Sequence, residues 1–171
     1  MAMPDQPNEP LDVKFSLILK EQVADMLKGI PAILSPELLK VLMEMGHGDE
    51  LCIGDGNFPH ASSNARVIRC DGHGVPELLE AILKLFPLDT YSAQPVTLMA
   101  VVPGDTVKTP IWDEFKAIIA QADNRTADDL IEYVARYDFY DRSHKAYAVV
   151  STGEKALYAN VIVRKGVVVD G

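Results

Sequence analysis

The chain is expected to form an α/β layered fold, a mainly parallel sheet flanked by helices, on three observations. Short apolar runs alternate with segments whose apolar residues recur at helical spacing. The intervals leave room for the crossover helices that parallel neighbours require. Residues 96–102 (VTLMAVV) form a near-continuous apolar run, the pattern of a central strand covered on both faces. With 171 residues, 48% of them hydrophobic, there is enough apolar material for one core and one domain.

The clearest helix start is Ser35-Pro36-Glu37, a serine cap followed by a proline at the position where its missing N–H costs nothing. Leu38, Leu39, Leu42 and Met45 then share a face, and Gly46 is expected to close the helix in the left-handed conformation. Glu50–Gly54 reads as a strand ending in the loop residues Asp55, Gly56 and Asn57. Residues 65–70 give a second strand and 76–86 a second helix. After the run at 96–102, Thr109-Pro110 opens a third helix reaching about Ala122. Residues 130–134 alternate like a strand, 136–145 are polar and aromatic, and 146–151 and 160–164 complete the sheet. Residues 1–25 read as an extension: 1–9 have the composition of a disordered tail, and 11–29 could hold a short strand or helix. The remainder, 26–171, reads as the single domain.

A formal net charge of −9 argues against nucleic acid and anionic membrane, which need clustered Lys and Arg. No apolar run reaches the length of a membrane span and no signal-peptide pattern opens the chain, so a cytoplasmic location is expected. Cys52 and Cys70 lie in apolar strands outside any metal-type spacing and read as buried free thiols. Nucleotide-binding glycine motifs and the nucleophile elbow are absent, which leaves proton transfer or plain ligand binding as the simplest chemistries.

Three clusters could carry that chemistry. In Gly46-His47-Gly48-Asp49-Glu50 a histidine sits between glycines, either a general acid/base at a cleft or an exposed loop residue. In Gly54-Asp55-Gly56-Asn57-Phe58-Pro59-His60 an aspartate follows a strand, where it could face a strand-end crevice or bond its own turn. The third cluster is Arg136-Tyr137-Asp138-Phe139-Tyr140-Asp141-Arg142, with Tyr158-Ala159-Asn160 further on. It offers multidentate donors and aromatic faces suited to a sugar, or else an amphipathic helix with solvated charges. His47, Asp49, Asp55, His60, Asp71 and His73 contain donors enough for a metal, but their spacing matches no metal motif, so no metal is expected.

Taken in order, these stretches resemble the RbsD/FucU family of D-ribose pyranases and L-fucose mutarotases. Ile33-Leu34-Ser35-Pro36-Glu37-Leu38-Leu39, Met45 to Glu50, Gly54 to Pro59, Arg136 to Tyr140, Thr152-Gly153-Glu154 and Tyr158-Ala159-Asn160 carry the resemblance, which runs from about Met26 to Gly166. It implies a cofactor-free sugar isomerase with His47 as the catalytic histidine. Asp55, Arg136, Tyr140, Tyr158, Ala159 and Asn160 would hold the monosaccharide. Arg136 favours the L-fucose branch, giving α/β anomer interconversion by ring opening. D-ribose pyranase activity, or sugar binding linked to uptake without catalysis, are the alternatives. The resemblance also implies a homo-oligomer, a ring-shaped decamer, with sites near subunit contacts. The chain departs from the fucose branch at Ala159, where glycine is usual, and in the extension before Met26.

Overall fold

The computed structural model describes residues 26–169, so the tail expected over 1–9 and most of the element expected at 11–29 lie outside the described residues. Two units are distinguished, divided after Ala32. Of the first, residues 26–32 form a turn in which Leu27 bridges Ile30 and Gly29 takes a positive φ of 74°.

The second unit contains the α/β fold. Its elements are α1 (Pro36–Glu44), β1 (Glu50–Gly54), α2 (His60–Ser63), β2 (Val67–Cys70), α3 (Val75–Leu83) and β3 (Val96–Met99). They continue with α4 (Ile111–Ala122), α5 (Ala127–Leu130), β4 (Ile131–Val134), α6 (Arg136–Lys145), β5 (Ala148–Thr152) and β6 (Val161–Arg164). The six-stranded sheet has the order β2-β5-β1-β6-β3-β4. Neighbours are parallel except where β6 pairs antiparallel with β1 and β3. Five strands therefore end on the same edge, and β6 begins there.

Local chemistry explains most boundaries. Ser35 Oγ accepts the Leu38 N–H at 3.2 Å and Pro36 occupies the first helical position, so α1 starts where expected. Its end differs. The chain leaves the helix through Met45 in an extended conformation, and the glycine with positive φ is Gly48, at 85°, rather than Gly46. Gly46 instead donates its N–H to Asp49 Oδ2 at 2.7 Å, a carboxylate-closed loop that makes a left-handed cap unnecessary. The helix expected to reach residue 86 stops at Leu83, and the strand expected to reach 102 stops at Met99. Beyond Met99 the Ala100 N–H still bonds the Val134 carbonyl at 2.8 Å. β4 ends there as the chain turns into α6, and β6 begins only opposite Leu98, so the ladder has no partner on which to continue. The polar segment 136–145 is a helix whose buried residues are Phe139 and Ser143.

β1, β3 and β5 are buried along nearly their whole length, as expected of strands covered on both sides. Cys52, Val149, Ile162 and Met99 point to one face, where Phe139 of α6 and Phe58 pack on them. Both cysteines are free and buried, and burial pushes both thiols up.

A charged network fixes α6 to the sheet. Glu50, at the start of β1, pairs with Arg164 of β6 and Arg142 of α6, each at 2.8 Å, while Arg142 also bonds Glu132 of β4. Burial alone would raise the Glu50 carboxyl, but the two guanidinium groups outweigh it and hold the carboxyl below its ordinary value of 4.5. The resulting stabilisation is complete above that ordinary value and is lost as pH falls through the depressed one. Glu50→Gln should lower the unfolding free energy by about 2–3 kcal/mol, somewhat less than for a fully buried pair because water reaches both arginines. It should also flatten the acid limb of stability between the two values. Urea midpoints measured against pH test this, and an unchanged midpoint at neutral pH would exclude the network as a stabilising element.

Candidate functional site

Strand ends that share an edge bring loops together, and in open α/β sheets that edge is where ligands bind. Here the carboxyl end of β1 supplies Asp55, the segment after β3 supplies Asp105, the start of α6 supplies Arg136 and Tyr140, and the approach to β6 supplies Tyr158 and Asn160. All six line one cavity of about 280 Å³.

The floor is a reciprocal pair between Asp55 and Asn160. The Asp55 N–H donates to Asn160 Oδ1 at 2.8 Å, and Asn160 Nδ2 donates to Asp55 Oδ2 at 3.0 Å. Asp55 Oδ1 also accepts the Asn57 N–H at 2.9 Å. Both turn and crevice readings of this aspartate therefore hold, since one oxygen closes the turn while the residue lines the cavity. Burial pushes the Asp55 carboxyl above its ordinary value, against hydrogen bonds from the backbone of Asn57 and Ala159 and the amide of Asn160. Ala159 itself is fully buried and does not line the cavity; its backbone N–H serves Asp55.

Aromatic residues form a wall. Phe58 meets Tyr140 edge-on at 5.7 Å between ring centroids and Phe139 at 6.0 Å. Gly54 makes this approach possible, because a Cβ there would lie 2.7 Å from Phe58 Cγ and 2.8 Å from His60 Nε2. Tyr158 is held in the left-handed region, φ 56°, with its carbonyl accepting the Trp112 indole N–H at 2.9 Å. Its hydroxyl donates to Asp105 Oδ2 at 2.7 Å. That bond, followed by the N–H of Val107 and the nearby Arg136 charge, holds the Asp105 carboxyl below its ordinary value. Arg136 is exposed at the mouth and makes no ion pair with any described residue.

His47 stands apart. It precedes β1 whereas Asp55 follows it, and β1 alone spans roughly 13 Å at about 3.3 Å per residue. Its Nε2 lies 3.0 Å from Oδ1 of the buried Asp89, its ring packs on Tyr91 at 5.2 Å, and nearly half its side chain is exposed. Within one chain the expected catalytic histidine is thus outside the cavity that gathers the expected sugar contacts.

The donors weighed for a metal are likewise dispersed. His60 Nε2 lies 3.2 Å from the Gly54 carbonyl, His73 pairs with Glu77 and Asp71 with Arg69. Among the described residues no group of three or more such side chains converges. Among the described residues no helix is long and apolar enough to cross a membrane.

Asp105 escaped the sequence reading. Pro103-Gly104-Asp105 has the composition of an ordinary turn. The usable signal was its place just beyond a buried strand, on the edge where ligands bind. Asp89, the partner of His47, carried no signal because its contact spans 42 residues of sequence.

A profile of the RbsD / FucU transport protein family matches residues 28–168. The fucose mutarotase of Homo sapiens is 52% identical over 147 residues, covering 82% of this chain and 94% of that one. Two crystal structures share the fold. FucU from Bifidobacterium longum is 56% identical with a TM-score of 0.81, covering 83% of this chain and 100% of that one. The fucose mutarotase of Streptococcus pneumoniae in complex with L-fucose is 51% identical with a TM-score of 0.79, covering 84% and 100%. With its sheet order, its strand-edge cavity and a match over most of its length, the chain belongs to the RbsD/FucU family.

Proposed function

We propose that this protein is a cofactor-free L-fucose mutarotase of the cytoplasm, interconverting the α and β anomers of the free sugar. The observation that carries the proposal is the convergence of Asp55, Arg136, Tyr140, Tyr158 and Asn160 on one small cavity. Carboxylate, guanidinium and amide groups engage vicinal hydroxyls, and an aromatic wall takes the apolar side of a pyranose ring. The relatives named for fucose, one of them solved with L-fucose, support that sugar over ribose.

Anomer exchange requires a proton at the ring oxygen and loss of one from the anomeric hydroxyl. The C1–O5 bond then breaks to an aldehyde, which turns about C1–C2 and recloses on its other face. Asp55, Arg136 and Asn160 orient the hydroxyls. The proton donor is His47 supplied by a neighbouring copy in a homo-oligomer, a ring-shaped decamer, since the length of β1 keeps the chain's own imidazole at the far edge of the sheet. Asp89 suits that role. Burial would raise its carboxyl, but the Tyr91 N–H and the imidazole keep it below its ordinary value. An ionised Asp89 holds the proton on Nε2 and leaves Nδ1 as the nitrogen that exchanges protons.

Saturation-transfer NMR on L-fucose, with D-ribose as the comparison, should show protein-dependent exchange for fucose; its absence would exclude the activity. His47→Ala should slow exchange by about a hundredfold or more, the scale of general acid/base catalysis. Mixing inactive His47→Ala and Asp55→Asn proteins under conditions that scramble subunits should restore about a quarter of wild-type activity if each site draws on two copies. No recovery would place the histidine elsewhere. The acid limb of the pH–rate profile should fall above the ordinary aspartate value of 3.8, because the elevated Asp55 carboxyl takes up its proton at higher pH than a free one. A limb at or below that value would remove Asp55 from sugar binding.

A further inference from the structure

The segment after β3 turns back over the cavity at Gly104, which takes a positive φ of 89°, and brings Asp105 against the tyrosine of the β6 approach. Asp105 Oδ2 accepts the Tyr158 hydroxyl at 2.7 Å, while Asp105 Oδ1 accepts the Val107 N–H at 3.1 Å. The Val102 N–H approaches the same phenol oxygen at 3.4 Å. A phenol has one proton and two lone pairs, and an ionised carboxylate can only accept. The proton of Tyr158 is thus committed to Asp105, and one lone pair faces Val102. The second lone pair is what the phenol can still offer, and both Tyr158 and Asp105 line the cavity.

We infer that Asp105 is a positioning residue which fixes the polarity of Tyr158, so that the phenol oxygen meets the sugar as a hydrogen-bond acceptor and selects a hydroxyl donor at that point of the ring. This rests on the reading of the cavity as a monosaccharide site. The backbone supports the arrangement, because the Trp112 indole holds the Tyr158 carbonyl at 2.9 Å and so fixes the point from which the ring projects. Discrimination follows from chemistry: a site that presents only a lone pair rejects a ligand group that cannot donate, since both acceptors would then be left facing each other.

The test uses the full chain with L-fucose and with its monodeoxy and monodeoxyfluoro analogues, one ring hydroxyl replaced at a time. Fluorine accepts but does not donate. In the wild type, at one ring position, the fluoro analogue should bind as poorly as the deoxy analogue. Asp105→Ala should raise the KM for L-fucose about tenfold while kcat changes much less. At that same ring position it should also let the fluoro analogue regain binding over the deoxy one, because the freed phenol proton can now be donated. Asp105→Asn, whose amide oxygen still accepts, should lie between, and Tyr158→Phe should abolish the preference for the hydroxyl over both analogues at that position. An active wild type whose Asp105→Ala variant keeps both constants and the analogue pattern overturns the inference alone. A wild type without protein-dependent exchange removes the reading beneath it. If Asp105→Ala melts early, the wild-type analogue series decides: a fluoro analogue that binds better than its deoxy counterpart at every ring position overturns the acceptor role.

Discussion

The site is organised by one buried exchange of hydrogen bonds, that between Asp55 and Asn160. β1 and β6 are antiparallel neighbours, so the end of one lies beside the start of the other, and the two residues bond there backbone to side chain and side chain to side chain. A carboxylate this buried is tolerated only with donors around it, which Asn57, Ala159 and Asn160 supply. The Asn160 amide, committed at both its oxygen and its nitrogen, in turn fixes the path of the chain through Ala159 and Tyr158. Cavity floor and aromatic wall are thus consequences of the same pair.

Strand direction explains why the remaining polar groups are found together. The parallel strands all deliver their carboxyl ends to one edge, and the single reversed strand, β6, delivers its beginning to the same place. Residues more than a hundred positions apart in sequence therefore become neighbours without any loop having to travel. The same geometry denies His47 access, because the residue before a strand lies a full strand length from the residue after it. In the proposed mechanism, a site shared between copies answers that constraint.

Much of this was legible in advance for local reasons. Ser35-Pro36 specifies a helix start through one side-chain bond and one missing donor, and the helix begins there. The alternation of strands with helices implied a parallel sheet, and Asp55 was placed at a strand end by the turn residues that follow it. What escaped notice depends on distance or on choice among equivalents. Gly46 and Gly48 are both able to take a positive φ, and only the carboxylate of Asp49, folding back on Gly46, decides between them. Arg142 reads as a solvated helix charge until Glu50, 92 residues away, comes to meet it. Asp105 reads as a turn residue until Tyr158 is seen to donate to it.

Tyr158 carries a backbone conformation that glycine adopts freely and a tyrosine does not, on the order of 1–2 kcal/mol above its relaxed form. The ring is therefore preloaded against its restraints, with Trp112 anchoring the carbonyl and Asp105 the hydroxyl. Asp55 and Asn160 bear no such tension. Loosening the first turn of α4, where Trp112 sits, would relax the aromatic side of the pocket while the sheet beneath stayed intact. The shape of the cavity can thus fail through a helix end that contributes nothing to its lining.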